Sequence, residues 1–161
     1  MNKKVYRTLE YNKIIDRLVE KAGSAPGKDL CRKLLPSTDL QEIETWQMQT
    51  RDALTRLFGK GSISFGSNTD LGYAIKSLEI GSSLSCSELL KIAGMLENTA
   101  RVKAYGRNEK EDVPDDSLDE MFRSLEPLTP LSSEIRRCIL AEDEYADDAS
   151  PNLKRIRRQM L

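Results

Sequence analysis

SAPGKDLCRKLLPSTDLQEIETWQMQTRDALTRLF, residues 24–58, is the stretch that decides the fold. It contains a short helical pattern, a proline, and then a much longer helical pattern. Pro36 ends the first helix, because proline lacks the backbone donor and its ring clashes with the preceding turn. Ser37, Thr38 and Asp39 are candidates to cap the second helix with a side-chain oxygen. The stretch therefore predicts two consecutive helices with a sharp stop between them.

The longer helix carries an apolar stripe about five turns long. Its members recur at spacings of three, four or seven residues and are Ile43, Trp46, Thr50, Ala53, Leu54 and Leu57. An amphipathic stripe of this kind has to be buried against other elements. We therefore expect Trp46 and its neighbours to lie in the core, with the other helices packed around this pair.

Further helices are predicted along the rest of the chain from caps and apolar spacing. Ser85 and Glu88 form a capping box. Cap-plus-proline starts occur at residues 129–130 and 150–151. The other helix starts are placed after Thr8, which is a candidate cap, after residues 68–70, and before Phe122. No segment alternates convincingly with period two, so at most one short strand pair is expected, near Ile63 or Tyr145.

The bulk properties favour one helical domain. A chain of 161 residues is most simply a single domain, and folding at that size buries roughly 70% of the extended surface. The polar, acidic stretch near residues 106–116 is expected to be an exposed loop. We therefore predict an all-α, bundle-like multi-helix core domain that spans residues 1–161.

Composition also excludes several classes of site. The chain has no histidine, which removes the usual general base and the usual metal ligand. Cys31, Cys86 and Cys138 are odd in number and far apart, so we interpret them as reduced, mostly buried thiols.

The first ten residues lack the apolar run of a signal peptide, and no segment approaches the roughly 20 apolar residues of a membrane span. We expect a cytoplasmic protein with no membrane partner.

Two motifs resemble ligand sites and fail on spacing. Residues 23–29, GSAPGKD, resemble a phosphate loop, but the glycine spacing is short and Asp29 stands where a hydroxyl must reach magnesium. This stretch therefore favours a helix start.

A set of carboxylates suggests calcium: Asp112, Asp115, Asp116, Asp119 and Glu120. It lacks the ligand order of an EF-hand, so we interpret it as a solvated acidic loop. No catalytic, cofactor-binding or metal-ligating residue is assigned.

The densest basic cluster lies close to residue 161. On a helix, Lys154, Arg155 and Arg158 lie opposite an apolar side formed by residues 153, 156 and 160. Such a face can contact a phosphate backbone, and these three cations are the candidate nucleic-acid-binding residues. The alternative is the solvated face of an amphipathic helix, which the sequence alone favours. The formal net charge of −1 provides no global field that would recruit nucleic acid.

The order of several short motifs resembles the N-terminal core region of a family of bacterial MutS paralogues, the MutS-two family. The motifs are LEY at residues 9–11 with Ile14 and Leu18, GK at 27–28, LLPSTDL at 34–40, TRDAL at 50–54, IG at 80–81, LS at 84–85, ELL at 88–90, LTPL at 128–131 with Ile135, and ASP at 149–151 with Leu153, Ile156 and Arg157. They extend over nearly the whole chain in the family's order.

The resemblance implies a specific parent protein. Members are long, homodimeric ATPases that use ATP and magnesium and are related to DNA mismatch-repair proteins. They begin directly in a helical core, which leads to a lever and a coiled-coil clamp, and they end in an Smr endonuclease domain. Associated roles are suppression of homologous recombination, DNA cleavage and action on stalled ribosomes. None of the ATPase or nuclease motifs lies in this chain.

We therefore expect a non-catalytic core fragment without a cofactor of its own, which passes the state of the ATPase to the clamp. Residues 150–161 would begin the lever helix. Its partners would be the remainder of the parent chain and a second subunit, and the parent would contact DNA or the ribosome. The alternative is a free-standing helical adaptor that binds another protein. A third hypothesis, an enzyme that uses carboxylates and no histidine, is supported by no group of residues in the sequence. A Walker A motif further along the reading frame would favour the first hypothesis.

Overall fold

The computed structural model describes residues 3–66, 71–107 and 114–160. These residues form nine helices and one antiparallel strand pair, which confirms the all-α prediction with a single short pair near Tyr145. In chain order the elements are α1 (Lys3–Thr8), α2 (Tyr11–Lys21), α3 (Ala25–Lys33), α4 (Leu40–Lys60), α5 (Gly72–Glu79), α6 (Cys86–Gly106), α7 (Asp119–Arg123), α8 (Thr129–Cys138), β1 (Ile139–Ala141), β2 (Glu144–Tyr145) and α9 (Pro151–Met160).

The chain divides into two compact units. Among the described residues, the first unit comprises 3–66, 104–107 and 114–124, and the second comprises 71–103 and 125–160. The last three residues of α6 belong to the first unit and its earlier residues to the second. The single domain over residues 1–161 stays a prediction.

Side-chain caps begin several of these helices, and the cap before α3 is one that was not predicted from the sequence. Ser24 Oγ accepts a hydrogen bond from the amide of Gly27 at 3.2 Å, at the start of α3. Of the three candidate caps before α4, it is Asp39 whose carboxylate accepts from the amides of Gln41 and Glu42 at 2.9 and 3.2 Å. Each cap satisfies amides that have no partner within the first helical turn.

The capping box before α6 and the cap before α9 are also confirmed. The Ser85 amide donates to the Glu88 carboxylate at 2.8 Å, and the Glu88 amide donates to Ser85 Oγ at 3.3 Å. Ser150 Oγ accepts from the Leu153 amide at 3.1 Å, and α9 begins at Pro151. These local starts depend on few residues, which is why the sequence alone reveals them.

Two predicted caps are wrong. Thr8 is the last residue of a separate helix, α1, and its hydroxyl donates to the Lys4 carbonyl at 3.0 Å. Thr129 is the first residue of α8 and not its cap. The residues that precede α2 and α8 are Glu10 and Leu128, which have positive φ angles of 54° and 42° and no capping side chain. The hydroxyl of Thr8 is engaged by the carbonyl four residues earlier, as is common for threonine in helices, and so takes no part in capping α2.

The second unit has a small apolar core. It consists of Cys86, Ala93, Ile135 and Ile139, with Leu89, Leu90, Ile92 and Cys138 packed against it. The strand pair supports this core, because Ile139 lies opposite Tyr145 in the antiparallel register. All three cysteines are free thiols; Cys86 is buried and the other two are partly buried.

The apolar stripe of α4 is largely at the surface, so the prediction that Trp46 belongs to the core is wrong. Trp46 is 39% exposed, and Leu54 and Leu57 are about half exposed. The buried residue of this helix is instead Arg56, at 6% exposure. The apolar residues do lie on one face of α4, as their spacing predicted. The described residues of the first unit do not bury that face.

Candidate functional site

A buried arginine organises the first unit. Arg56 on α4 donates from Nε and Nη2 to the two carboxylate oxygens of Asp116, at 2.6 and 2.7 Å. Its Nη2 also lies 3.1 Å from Asp119 Oδ1, and its Nη1 donates to the carbonyl of Gly106 at 3.0 Å. The guanidinium carbon lies 4.9 Å from the centre of the Phe122 ring. We call these five residues the arginine cluster.

The electrostatics of the arginine cluster favour charged partners. Hydrogen bonding from Arg56 holds the pKa of Asp116 below its ordinary value, against the opposing effect of burial. The hydrogen bond to Asp116 likewise raises the pKa of Arg56, again against burial. A two-pronged guanidinium–carboxylate pair is among the stronger hydrogen-bonded pairs in proteins. The cluster therefore fastens α4 to the segment at residues 116–119, which is a structural role.

Neighbouring contacts reinforce this fastening. Asp52, one turn before Arg56, accepts from both the amide and the hydroxyl of Ser117, at 3.0 and 2.5 Å. The Asp116 amide donates to Asp119 Oδ2 at 2.7 Å. Lys60 donates to the carbonyl of Arg107 at 2.6 Å, which places a cation at the carbonyl end of α6. The Asp52 contacts thus add to the junction between α4 and the 116–119 segment, and the Lys60 contact joins α4 to the end of α6.

The interpretation of the carboxylates as a solvated loop is therefore wrong for two of them. Asp119 is buried and Asp116 is partly buried, because each faces the guanidinium of Arg56. Asp115 is exposed and pairs with Arg123, and Glu120 is exposed. Asp112 lies outside the described residues, as does most of the predicted acidic loop. In the described parts of the chain, no group of three or more potential metal ligands is present.

The arginine cluster was missed in the sequence. Arg56 lies between the apolar positions 53, 54 and 57, where an arginine is usually assigned to the edge of a solvated face. Its partners are about 50 and 60 residues away. The one available signal was Asp52 four residues earlier, which suggests only a local helix pair.

Residues 23–29 form the start of a helix, as the spacing argument favoured. The amide of Gly27 is engaged by Ser24, and Pro26 and Lys28 lie in the first turns of α3. Asp29 pairs with Arg32 one turn later, at 2.7 Å. The glycine amides of this stretch are therefore not arranged as a phosphate cradle.

The three candidate nucleic-acid-binding residues lie on α9. Lys154, Arg155 and Arg158 are all exposed. The fourth cation of this helix, Arg157, is partly buried and pairs with Asp147. The three predicted residues thus lie together on one helix, and they differ from Arg157 in being exposed and in forming no ion pair with another described residue.

Each unit also has an open groove with apolar side chains in its lining. In the first unit, a groove of about 580 Å³ lies between α3 and α4 and includes Leu30, Leu35 and Trp46. In the second unit, an almost wholly apolar trough of about 520 Å³ lies between α5, α6 and α8. No helix among the described residues has the length and apolar character needed to cross a bilayer.

Comparisons with known proteins give one consistent result. The chain is 50% identical to Endonuclease MutS2 of Lachnoclostridium phytofermentans over 165 aligned positions, 47% identical to that of Agathobacter rectalis over 160, and 40% identical to that of Acetivibrio thermocellus over 161. Each alignment covers 99% of this chain but only 20–21% of the relative. No family model matches. The chain thus spans about a fifth of the length of these relatives, and across that segment it belongs to the MutS2 family.

Proposed function

We propose that this chain is a non-catalytic core segment of a MutS2-type protein, and that the remainder of the parent protein covers its apolar surface. The observation that carries the proposal is the exposure of large apolar side chains in both units. Monomeric proteins rarely expose large contiguous apolar patches, and such patches usually mark interfaces.

In the first unit this surface follows α4 and the groove beside it. Trp46, Leu54 and Leu57 lie on the same helical stripe and are 39–52% exposed. Leu30 and Leu35 line the adjoining groove and are more exposed still. A helical stripe that keeps its periodicity but has no cover is typical of a surface that packs on another element.

In the second unit the corresponding surface is the trough between α5, α6 and α8. Ile75 and Leu78 on α5, and Leu131 on α8, line it and are about half exposed. The area buried by filling such a trough contributes roughly 25 cal/mol per Å² of apolar surface. An element of the parent protein that presents apolar side chains would therefore be held firmly here.

The finer role follows the resemblance to the family. The parent would be a homodimeric ATPase that binds ATP and magnesium, carries an endonuclease domain, and acts on DNA in the suppression of recombination or on stalled ribosomes. Its segment represented here would transmit the state of the ATPase to the clamp, with the arginine cluster keeping α4 and the 116–119 segment together as one body. The name Endonuclease MutS2, carried by the relatives, supports the nuclease part of this proposal.

Hydrogen exchange tests the proposal. The aligned segment of the Lachnoclostridium phytofermentans relative is replaced with this chain, and amide exchange is compared between the chimera and the chain alone. We expect α4 and α5 to exchange more slowly in the chimera, because covering their apolar faces stabilises them. Val102, which is buried and does not line the trough, provides the internal reference.

The opposite outcome favours the adaptor. If the chimera folds and both helices exchange as they do in the free chain, the parent does not cover these faces. The exposed stripe and trough would then be surfaces for another protein, and the free-standing adaptor would be the better account.

A further inference from the structure

The last helix separates its charges from its apolar residues. Leu153, Ile156 and Met160 fall within about 60° of one another around α9, at roughly 100° per residue. Lys154, Arg155 and Arg158 occupy the opposite side and are exposed. We call these three residues the basic face. Helix α9 contains no acidic residue, so no carboxylate of its own neutralises this face.

The other arginines of the second unit already have partners. Arg136 bonds to Glu97 at 2.8 Å. Arg137 bonds to Glu134 at 2.5 Å and lowers the pKa of that carboxyl to about 2. Arg157 is bonded to Asp147. Within the described residues, by contrast, no ion pair involves the basic face. Arg136, Arg137 and Arg157 thus serve the fold, whereas the three cations of the basic face form no ion pair with another described residue.

We propose that the basic face binds the phosphodiester backbone of duplex nucleic acid without reading its sequence. The inference rests on the proposed function and deepens it, because it assigns a direct nucleic-acid contact to this segment. Lys154 and Arg158 are four residues apart, which places them about 6 Å apart along the helix axis. The phosphates of one strand recur about every 3.4 Å along a duplex, so both side chains reach the same strand. Guanidinium groups also match phosphate oxygens with two hydrogen bonds.

The same structure limits the strength of this binding. The acidic residues of the segment at 142–148 precede α9, and one of them, Asp147, already holds Arg157. The formal net charge of −1 adds no long-range attraction. Three phosphate contacts correspond to a slope of about −2.7 in a plot of log binding constant against log salt concentration. We expect a dissociation constant of about 10⁻⁶ to 10⁻⁴ M at physiological salt.

Fluorescence anisotropy of a labelled 20-base-pair duplex, titrated with this chain at several salt concentrations, measures the binding. The test variant carries Lys154→Gln, Arg155→Gln and Arg158→Gln, and we expect it to bind at least tenfold more weakly. Glutamine has nearly the helix propensity of lysine and arginine, so circular dichroism should show an unchanged helix content. A second variant, Arg155→Lys with Arg158→Lys, keeps the charge and should retain most of the binding.

A matched control removes the same charge elsewhere. It carries Arg17→Gln, Lys21→Gln and Lys28→Gln, all exposed positions on α2 and α3, and we expect less than a twofold loss. Equal losses in the two triple variants would overturn the proposal, since they would reflect overall charge alone. Competition by polyglutamate as effective as that by unlabelled duplex would also overturn it and would indicate an acidic protein partner. These outcomes leave the exchange experiment on α4 and α5 unaffected, so the two proposals fail separately.

Discussion

The guanidinium of Arg56 and the carboxylate of Asp116, 60 residues further along the chain, form a two-pronged hydrogen-bonded pair in the first unit. Asp119 shares the same guanidinium and is buried beside it. One guanidinium therefore supplies the positive counter-charge for two carboxylates that have little access to water. Removing it leaves both without their counter-charge.

Arg56→Met should therefore be strongly destabilising. Loss of one partner from a buried ion pair costs about 3–5 kcal/mol, because an uncompensated charge stays behind. We expect a loss near the lower end of this range in the free energy of unfolding, since Asp116 keeps some access to water. Urea denaturation at neutral pH measures it. Arg51→Met, an exposed position on the same helix, is the control and should change stability by less than about 0.5 kcal/mol.

Acid should weaken the same cluster. The pKa of Asp116 is lower in the folded protein than its ordinary value of 3.8 because Arg56 donates to it. The folded state therefore binds fewer protons than the unfolded state in this range. The resulting stabilisation is complete above pH 3.8 and is lost as the pH falls through the lowered pKa of Asp116.

Urea denaturation between pH 6 and pH 2 tests this dependence. Asp116→Asn should have a shallower fall in the free energy of unfolding over the acid range, since one titrating group of the cluster is removed. Asp143→Asn, at an exposed turn, is the comparison. A profile for Asp116→Asn as steep as that of the unmodified chain would show that Asp116 does not contribute to the acid sensitivity.

Two helical glycines should respond to alanine with opposite signs. A Cβ atom on Gly106 would overlap the Phe122 side chain, and overpacking of this kind costs about 1–3 kcal/mol. Gly59 has open space around it within α4, so alanine there should stabilise by about 0.5–1 kcal/mol through helix propensity. Thermal denaturation of the two variants measures both effects. Destabilisation by Gly59→Ala, or tolerance of Gly106→Ala, would contradict this account of the close approach.

Ser150→Ala should loosen α9. The hydroxyl of Ser150 satisfies the amide of Leu153, and loss of such a cap costs about 1 kcal/mol of local helix stability. A helix of ten residues is marginal in water without support, so most of this loss should appear locally. Amide exchange of residues 154–158 should become several-fold faster. Ser133→Ala, at an exposed position on α8, should leave those rates unchanged.

Magnesium-ATP should produce no binding heat with this chain. The stretch that resembles a phosphate loop is the capped start of α3, and its Gly27 amide already donates to Ser24. Isothermal titration calorimetry at neutral pH is the measurement. Micromolar binding that disappears in a Lys28→Ala variant would show that the helix start forms a nucleotide site despite its spacing.

The starts of α4, α6 and α9 could be predicted because a cap is a contact between residues two or three positions apart, and the start of α3 because proline is tolerated in a first helical turn. The resemblance to the MutS family was also readable, since it depends on the order of such short motifs. These features need no knowledge of how distant segments meet. Short-range patterns of this kind therefore suffice to predict several helix starts and the family.

Burial could not be predicted in the same way. Arg56 and Trp46 lie on one helix, and propensity together with hydrophobicity assigns the tryptophan to the core and the arginine to solvent. The structure reverses both assignments. Arg56 is buried because carboxylates about 60 residues away surround it, whereas no described element of the first unit covers Trp46, which is 39% exposed. The basic face occupies an intermediate position: its helix was predictable, whereas the pairing that removes Arg157 was not.

The long sequence separation within the arginine cluster has a consequence in time. Ribosomes extend a chain by about 5–20 residues per second, so Arg56 is made roughly 3–12 s before Asp116. Over that interval its guanidinium lacks its carboxylate partner, and α5 and α6 are synthesised in the meantime. The first unit can therefore close only after the whole of α6 has been translated, and a pause in translation between the codons for Arg56 and Asp116 would prolong the period in which α4 lacks its partner.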